Sequence, residues 1–247
     1  MKSFFIALRF LTRINIPYLK LSGDSFSLAK SAKYFTLVGI LIGIVISAVY
    51  YASHLYFSRI ITSLITVTVL IYICRALHLD GFADTIDGLY GGNTVEDKLE
   101  IMRDSRIGTM GVVGIVLLLL GKVLFIANIS GKIIYPALML MPAVGRGSIV
   151  FASCFSDYAR DSFGIGKAFI ECVELKELLI AQAILLAAML CIFKYQGIVF
   201  FILVLVISFV YIKYINKEIN GQTGDTLGAL CEINEMLFLI GVYLMYR

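Results

Sequence analysis

Charge is scarce in this chain. Only 15% of its 247 residues are Asp, Glu, Lys or Arg, and only two are histidine. Soluble domains carry roughly 25% charged residues, so an ordinary cytosolic enzyme is excluded, as is a nucleic-acid-binding domain built around a basic surface. The five cysteines, at 74, 154, 172, 191 and 231, include no CxxC pair and no histidine partner at metal-ligand spacing. They form neither a disulfide framework nor a zinc site, and those in apolar runs behave as small hydrophobes. No internal repeat, low-complexity tract or soluble second domain is visible. A cleaved leader is not expected either, because Arg9 interrupts the apolar stretch that starts at Ser3 and no small-residue cleavage site follows.

What the chain has instead is apolar length. Hydrophobic residues make up 60% of it, far more than a disordered chain contains, and the mean hydropathy is +0.93. A helical span uses about 20 such residues. Runs long enough to matter lie at about 34–57, 60–77, 111–129, 133–152, 178–193, 197–212 and 227–246. The composition therefore predicts an all-α, polytopic transmembrane helical bundle forming one integral-membrane domain over residues 1–247. It has about seven spans, or five or six if the short late runs do not cross. Gly197 is expected to mark the hairpin between the fifth and sixth runs. Lys2, Arg9 and Arg13 recur on one face of an N-terminal helix that carries Phe4, Phe5, Leu8 and Leu11 elsewhere, which predicts an interfacial amphipathic helix.

The connections after the second, fourth and sixth runs are long and the others short, so the long loops share one side. Sixteen of the 21 Lys and Arg residues, Lys20 among them, fall on that side. The positive-inside rule then predicts a cytoplasmic N-terminus, cytoplasmic long loops and an outward C-terminus. All 17 carboxylates, from Asp24 to Glu235, are also expected at that side or at that end of a span. This asymmetry points to one-sided chemistry. A carrier or channel would spread polar groups through the bilayer midplane.

The most informative stretch runs from Arg75 to Gly92 and holds Asp80, Asp84 and Asp87 at i, i+4 and i+7. On a helix the three share a face, where each opposes ionisation of the others. No basic residue occurs between Arg75 and Lys98, whereas a merely solvated acidic face would interleave lysines. Hard divalent cations prefer carboxylate oxygens, and magnesium typically takes one or two of them together with substrate phosphates. The pattern predicts Mg²⁺ holding a diphosphate, with Asp80, Asp84 and Asp87 as catalytic and metal-binding residues and Asp104 as a further ligand. Which of the three aspartates would act as a general base stays open, with Asp87 favoured because it lies at the loop end of the stripe, farthest from the bilayer. Gly81 and Gly88 weaken a helix, which is understandable if backbone approaches a ligand there.

Arg103, Ser105, Arg106 and Gly108 precede the third span and suit a phosphate cradle at the positive end of the helix that follows. Arg146 sits inside an apolar run, where a bare charge needs a partner or a ligand. Asp225, Glu232 and Glu235 fall in one helical stripe of the last run. Pairing of Arg146 with one of these carboxylates and snorkelling to the interface both stay open. Arg146 and Asp225 join the expected substrate-binding set. His78 lies roughly opposite Asp80 and reads equally as a satisfied helix-end residue.

Six segments, in order, resemble the motifs of the cobalamin synthase family, the adenosylcobinamide-GDP ribazoletransferases of the late vitamin B12 pathway. They are Phe10-Leu-Thr-Arg13, Leu37-Val-Gly-Ile-Leu-Ile-Gly43, His78-Leu-Asp-Gly-Phe-Ala-Asp-Thr-Ile-Asp-Gly88, Asp104-Ser-Arg-Ile-Gly-Thr-Met-Gly111, Pro142-Ala-Val-Gly-Arg146 and Thr223-Gly-Asp-Thr-Leu-Gly-Ala229. Ser148 and the Gly221-Gln222 pair are minor departures. The resemblance implies transfer of the phosphocobinamide group of adenosylcobinamide-GDP to the ribose 3′-hydroxyl of α-ribazole, or its 5′-phosphate. GMP is released and magnesium is required. It also implies a bacterial cytoplasmic (inner) membrane, an active site on the cytoplasmic face, no nucleic-acid partner, and association with other enzymes of the pathway. The rival class is the CDP-alcohol phosphotransferases, whose acidic motif Asp84-Thr-Ile-Asp87-Gly88 echoes, but the Ala-Arg pair expected three residues later is absent. A membrane transporter is the remaining alternative.

Overall fold

The computed structural model describes residues 2–14, 25–160 and 165–247; Lys20, Asp24 and Asp161 lie outside them. Among the described residues the chain is helical throughout, with no strand and one isolated bridge between Tyr158 and Gln222. Two short N-terminal helices, α1 (Lys2–Leu11) and α2 (Ser25–Ser31), precede the first long one, α3 (Phe35–His54). Next come α4 (Arg59–Cys74), α5 (Leu77–Gly91), α6 (Val95–Ile101), α7 (Thr109–Asn128) and α8 (Ile134–Cys154). A short α9 (Ile165–Cys172) leads into α10 (Leu175–Phe193), α11 (Tyr195–Ile219) and α12 (Gly224–Tyr246). The seven expected runs reappear as α3, α4, α7, α8, α10, α11 and α12. The two short runs lengthen to 19 and 25 residues because their flanking residues continue the helices.

Among the described residues six segments are long and apolar enough to cross a membrane, and α4 with α5 makes a seventh candidate bent by 92°. We read α4 as the crossing and α5 as outside the spans, because α5 lies across the ends of other helices. Its first half meets the start of α12, where a Cβ on Gly81 would come within 2.7 Å of the Asp225 carbonyl oxygen. Its last half meets the start of α7, where Asp87 bonds the backbone of Gly108 and Gly111. Exposed aliphatic side chains such as Ile44, Leu64, Leu117, Val206 and Val210 clad the outside of the spans. In water such a surface would be a liability, whereas lipid accommodates it.

At the centre lies α8, buried almost without interruption from Ala137 to Ser153. It packs face to face with α3 through Gly39 and Gly43: a Cβ at either would fall within 2.5 Å of α8 backbone. Small residues four apart let two helix backbones approach closely, the usual substitute for a hydrophobic driving force inside a bilayer.

Two features depart from the sequence-based expectation. The hairpin between α10 and α11 turns at Lys194 (φ 54°), not at Gly197, which lies in the first turn of α11 against the Met189 carbonyl. And α1 docks on the bundle rather than resting on lipid alone: Ala7 and Leu11 are fully buried. Its trailing end clamps the elbow that turns α4 into α5. Arg75 and Ala76 both adopt left-handed backbone (φ 55° and 54°), which costs about 1–2 kcal/mol per residue. Arg75 donates to the Phe10 carbonyl (3.0 Å), and Arg13 donates from its backbone to Ile73 O (2.8 Å) and from Nε to Tyr72 O (2.8 Å).

Candidate active site

The bundle end over which α5 lies gathers most of the residues the sequence singles out. Asp80 is exposed, while Asp84 and Asp87 are half-buried on the same helix face. Asp225, in the first turn of α12, joins them because Gly81 lets α5 cross α12 in close contact. The glycines therefore serve approach of one chain segment to another, not of backbone to ligand: Gly88 likewise abuts the Lys98 carbonyl and Met102.

The three aspartates of α5 have different surroundings. Asp87 accepts from the backbone N–H of Gly108 and of Gly111, each at 2.7 Å, one on each oxygen. It thus supplies the cap that Gly108, the N-cap of α7 with no side chain, cannot. Both oxygens of Asp87 are thereby engaged by backbone. Asp84 has no such partner. Burial, together with the charges of Asp80, Asp225 and Asp87, pushes its carboxyl up to about 7, with Arg160 pulling the other way. Arg160 donates to Asp225 at 2.9 Å. It is a site residue that sequence reasoning missed: it sits in a long loop, and only the pairing of that loop with Gln222 brings it to α12.

Two hollows flank α5. One, of about 450 Å³, is open and lined by Asp87, Asp104, Arg106 and Gly108. Asp104 and Arg106 form a two-point ion pair here, with Nε at 3.0 Å and Nη2 at 2.6 Å, which holds the Asp104 carboxyl down at about 2. Arg103 and Ser105 are exposed on the same connection. The other hollow, of about 280 Å³, is lined by His78, Asp80, Arg160 and Asp225 together with Phe10, Phe35, Tyr158 and Phe169. The structure thus splits the expected site residues. Asp80 and Asp225 face one hollow, Asp87, Asp104, Arg106 and Gly108 the other, with Asp84 one turn from both ends of the acid stripe.

Arg146 lies in neither hollow. It is buried within the bundle and bonds Glu235, with its Nη2 3.1 Å from Cys74 Sγ and 3.3 Å from His78 Nδ1. Lys122, within the third expected run, bonds Glu232 at 2.6 Å and Glu235 at 2.5 Å. The result is a neutral buried quartet of two cations and two carboxylates tying α7, α8 and α12, with His78 of α5 at its edge. This overturns the expectation that every carboxylate sits at one end. At about 1.5 Å per residue, Glu235 lies roughly 15 Å along α12 from Asp225. The signal was available: a lone lysine in one apolar run and a Glu pair at i, i+3 in another need each other.

Among the described residues no three His, Cys, Asp or Glu side chains converge as a preformed metal cage. The donor chemistry still suits a hard divalent cation. Asp80, Asp84 and Asp225 are three carboxylates with Arg160 beside them, and burial first, then the neighbouring aspartate charges, raises the Asp84 carboxyl.

Among the described residues, fold and site define an all-helical multi-pass membrane protein with a cluster of aspartates and arginines at one end of its bundle. Comparison with known proteins makes this specific. A family model for cobalamin-5-phosphate synthase matches residues 3–243, and the chain belongs to that family. Curated relatives named adenosylcobinamide-GDP ribazoletransferase include those of Acetivibrio thermocellus, 35% identical over 99% of this chain and 98% of the relative, and Alkaliphilus metalliredigens, 39% identical over 99% and 96%. That of Thermoanaerobacter sp. is 38% identical over 97% and 96%. No solved structure matches.

Proposed function

We propose that this protein is an adenosylcobinamide-GDP ribazoletransferase. It transfers the phosphocobinamide group to the ribose 3′-hydroxyl of α-ribazole, or of its 5′-phosphate, and releases GMP. The observation that carries the reading is the near-complete match to a family of that chemistry, with its acidic motif folded as α5 across one end of a membrane bundle. The positive-inside count supports a cytoplasmic position for that end, in a bacterial inner membrane.

Asp80 and Asp225, with Asp84 beside them, are the residues that would hold magnesium. When bound, the ion would neutralise phosphate oxygens and favour departure of GMP. Arg106 and Arg103 rim the open hollow, where they would bind the nucleotide phosphates and stabilise charge moving onto the leaving group. Asp84 would take the proton of the attacking hydroxyl, in place of Asp87, whose two oxygens are engaged by the Gly108 and Gly111 N–H groups. Asp87 fixes α7 against α5 and so keeps the two hollows in register.

Detergent-purified protein supplied with adenosylcobinamide-GDP, α-ribazole and magnesium should form adenosylcobalamin and GMP. CDP-diacylglycerol with an alcohol acceptor should give no product. Turnover of the second pair and not the first, or full activity in excess chelator, would overturn the reading.

A further inference from the structure

The smaller hollow beside Asp80 has an aromatic wall to which the reading above gives no role. Phe10 of α1, Phe35 of α3 and Phe169 of α9 meet there, with ring centroids 5.9 Å, 5.1 Å and 5.3 Å apart. Asp80, Arg160 and Asp225 line the same cavity. Three helices distant in sequence thus build an apolar aromatic wall next to the acid stripe. The larger hollow, toward the Asp87 end of α5, has the Asp104–Arg106 pair and Tyr90 but no phenylalanine.

We propose that this aromatic cavity is the acceptor subsite and seats the planar base of α-ribazole, a substituted benzimidazole, with the attached ribose directed to Asp80 and Asp84. The assignment rests on the transferase reading above and adds which substrate lies on which side of α5. Size is the first argument. A cavity of about 280 Å³ suits a two-ring heterocycle and is several times too small for a corrin with its side chains. Chemistry is the second. The three phenylalanines offer a stacking surface to a planar apolar base, and Asp80, Arg160 and Asp225, which line the same cavity, offer hydrogen-bond partners to the attached ribose. Placement is the third. Asp80 and Asp87 are about 10 Å apart along α5, one facing each hollow, so an acceptor on one side and a nucleoside diphosphate on the other meet over Asp84. The docking of α1 then has a purpose beyond anchoring, because it delivers Phe10 to the wall.

The test is the split between the two substrates' constants in full-length detergent-purified protein. Phe169→Ala should raise KM for α-ribazole tenfold or more and leave KM for adenosylcobinamide-GDP within twofold. Phe10→Ala, at a half-buried position on α1, should do the same to a smaller extent and stands in if Phe169→Ala does not give monodisperse protein. A rise in the donor's KM instead, or no change in either constant in a folded variant, overturns the proposal. Equilibrium dialysis with α-ribazole alone, and separately with GMP, provides a readout that needs no turnover. Wild-type protein should bind α-ribazole and Phe169→Ala should lose that binding while keeping GMP; the reverse pattern, or equal loss of both, also overturns it. Failure of the wild type to turn over the substrate pair would instead remove the transferase reading, and binding of α-ribazole would still decide the cavity.

Discussion

Two groups of carboxylates occupy this molecule a few helical turns apart, and the protein treats them in opposite ways. Glu232 and Glu235 are buried in α12 and matched one for one by Lys122 and Arg146, with every charge bonded to another. Asp80, Asp84 and Asp225 lie at the bundle end among like charges, with Arg160 as the counterion. A buried charge without a partner is too costly to keep, so the first group is closed. Near water, like charges are tolerated, and the second group is left short of positive charge that a ligand can bring. The contrast separates a fastening from a site, although the residue types are the same.

The largest expected effect comes from opening the fastening. Glu235→Leu leaves Lys122 and Arg146 facing one carboxylate within the bundle, and the loss should be about 3–5 kcal/mol. Thermal unfolding and monodisperse yield in detergent measure it; an unchanged melting temperature would break the comparison. Asp84→Asn should act in reverse, cutting turnover by roughly 10²–10⁴ with no loss of stability, since it removes repulsion rather than a bond. An active Asp84→Asn protein would remove the proton-acceptor role.

A smaller effect joins pH and metal. Asp84 holds its proton to about 7 in the folded protein, well above the ordinary carboxyl value of 3.8. Between those values the folded state binds a proton that the unfolded chain does not. Metal-free stability contributed by this group therefore falls as pH rises through that window. A cation beside Asp84 favours its ionised form, so the magnesium-induced rise in melting temperature should be greater above pH 7 than below it, and should flatten in Asp84→Asn. Equal shifts on both sides of pH 7 would count against magnesium at this position. Arg160→Gln should move the acidic limb of the activity profile to higher pH, because Arg160 is the group that draws the Asp84 carboxyl down; a limb that stays put would deny it that role. The smallest stability change belongs to Arg106→Ala. Its side chain is 87% exposed, and solvent screening leaves such pairs little weight in stability. Its effect should appear as a higher KM for the nucleotide substrate alone, and equal effects on both substrates would place it elsewhere.

Much of this was legible in the residues. Seven apolar runs became seven long helices, and the i, i+4, i+7 spacing of Asp80, Asp84 and Asp87 put them on one helix because helical periodicity is local. The sequence also marked Arg146 as needing a partner. It could not show that Glu235 was that partner, since α8 and α12 are far apart in the chain. Nor could it show that Gly81 exists for α12, or that Asp87 caps α7, because both facts are contacts between elements. Arg160 carried no local signal at all. It matters through the pairing of its loop with Gln222.

What the sequence determined by itself was the solvent and the inventory: a membrane interior, set by apolar run length, and a set of acids and arginines. Tertiary structure alone decided which charges cancel. Whether a carboxylate is a fastening or a functional group depends on the nearest opposite charge and the water around it, and both are set by which helices cross, not by which residues adjoin.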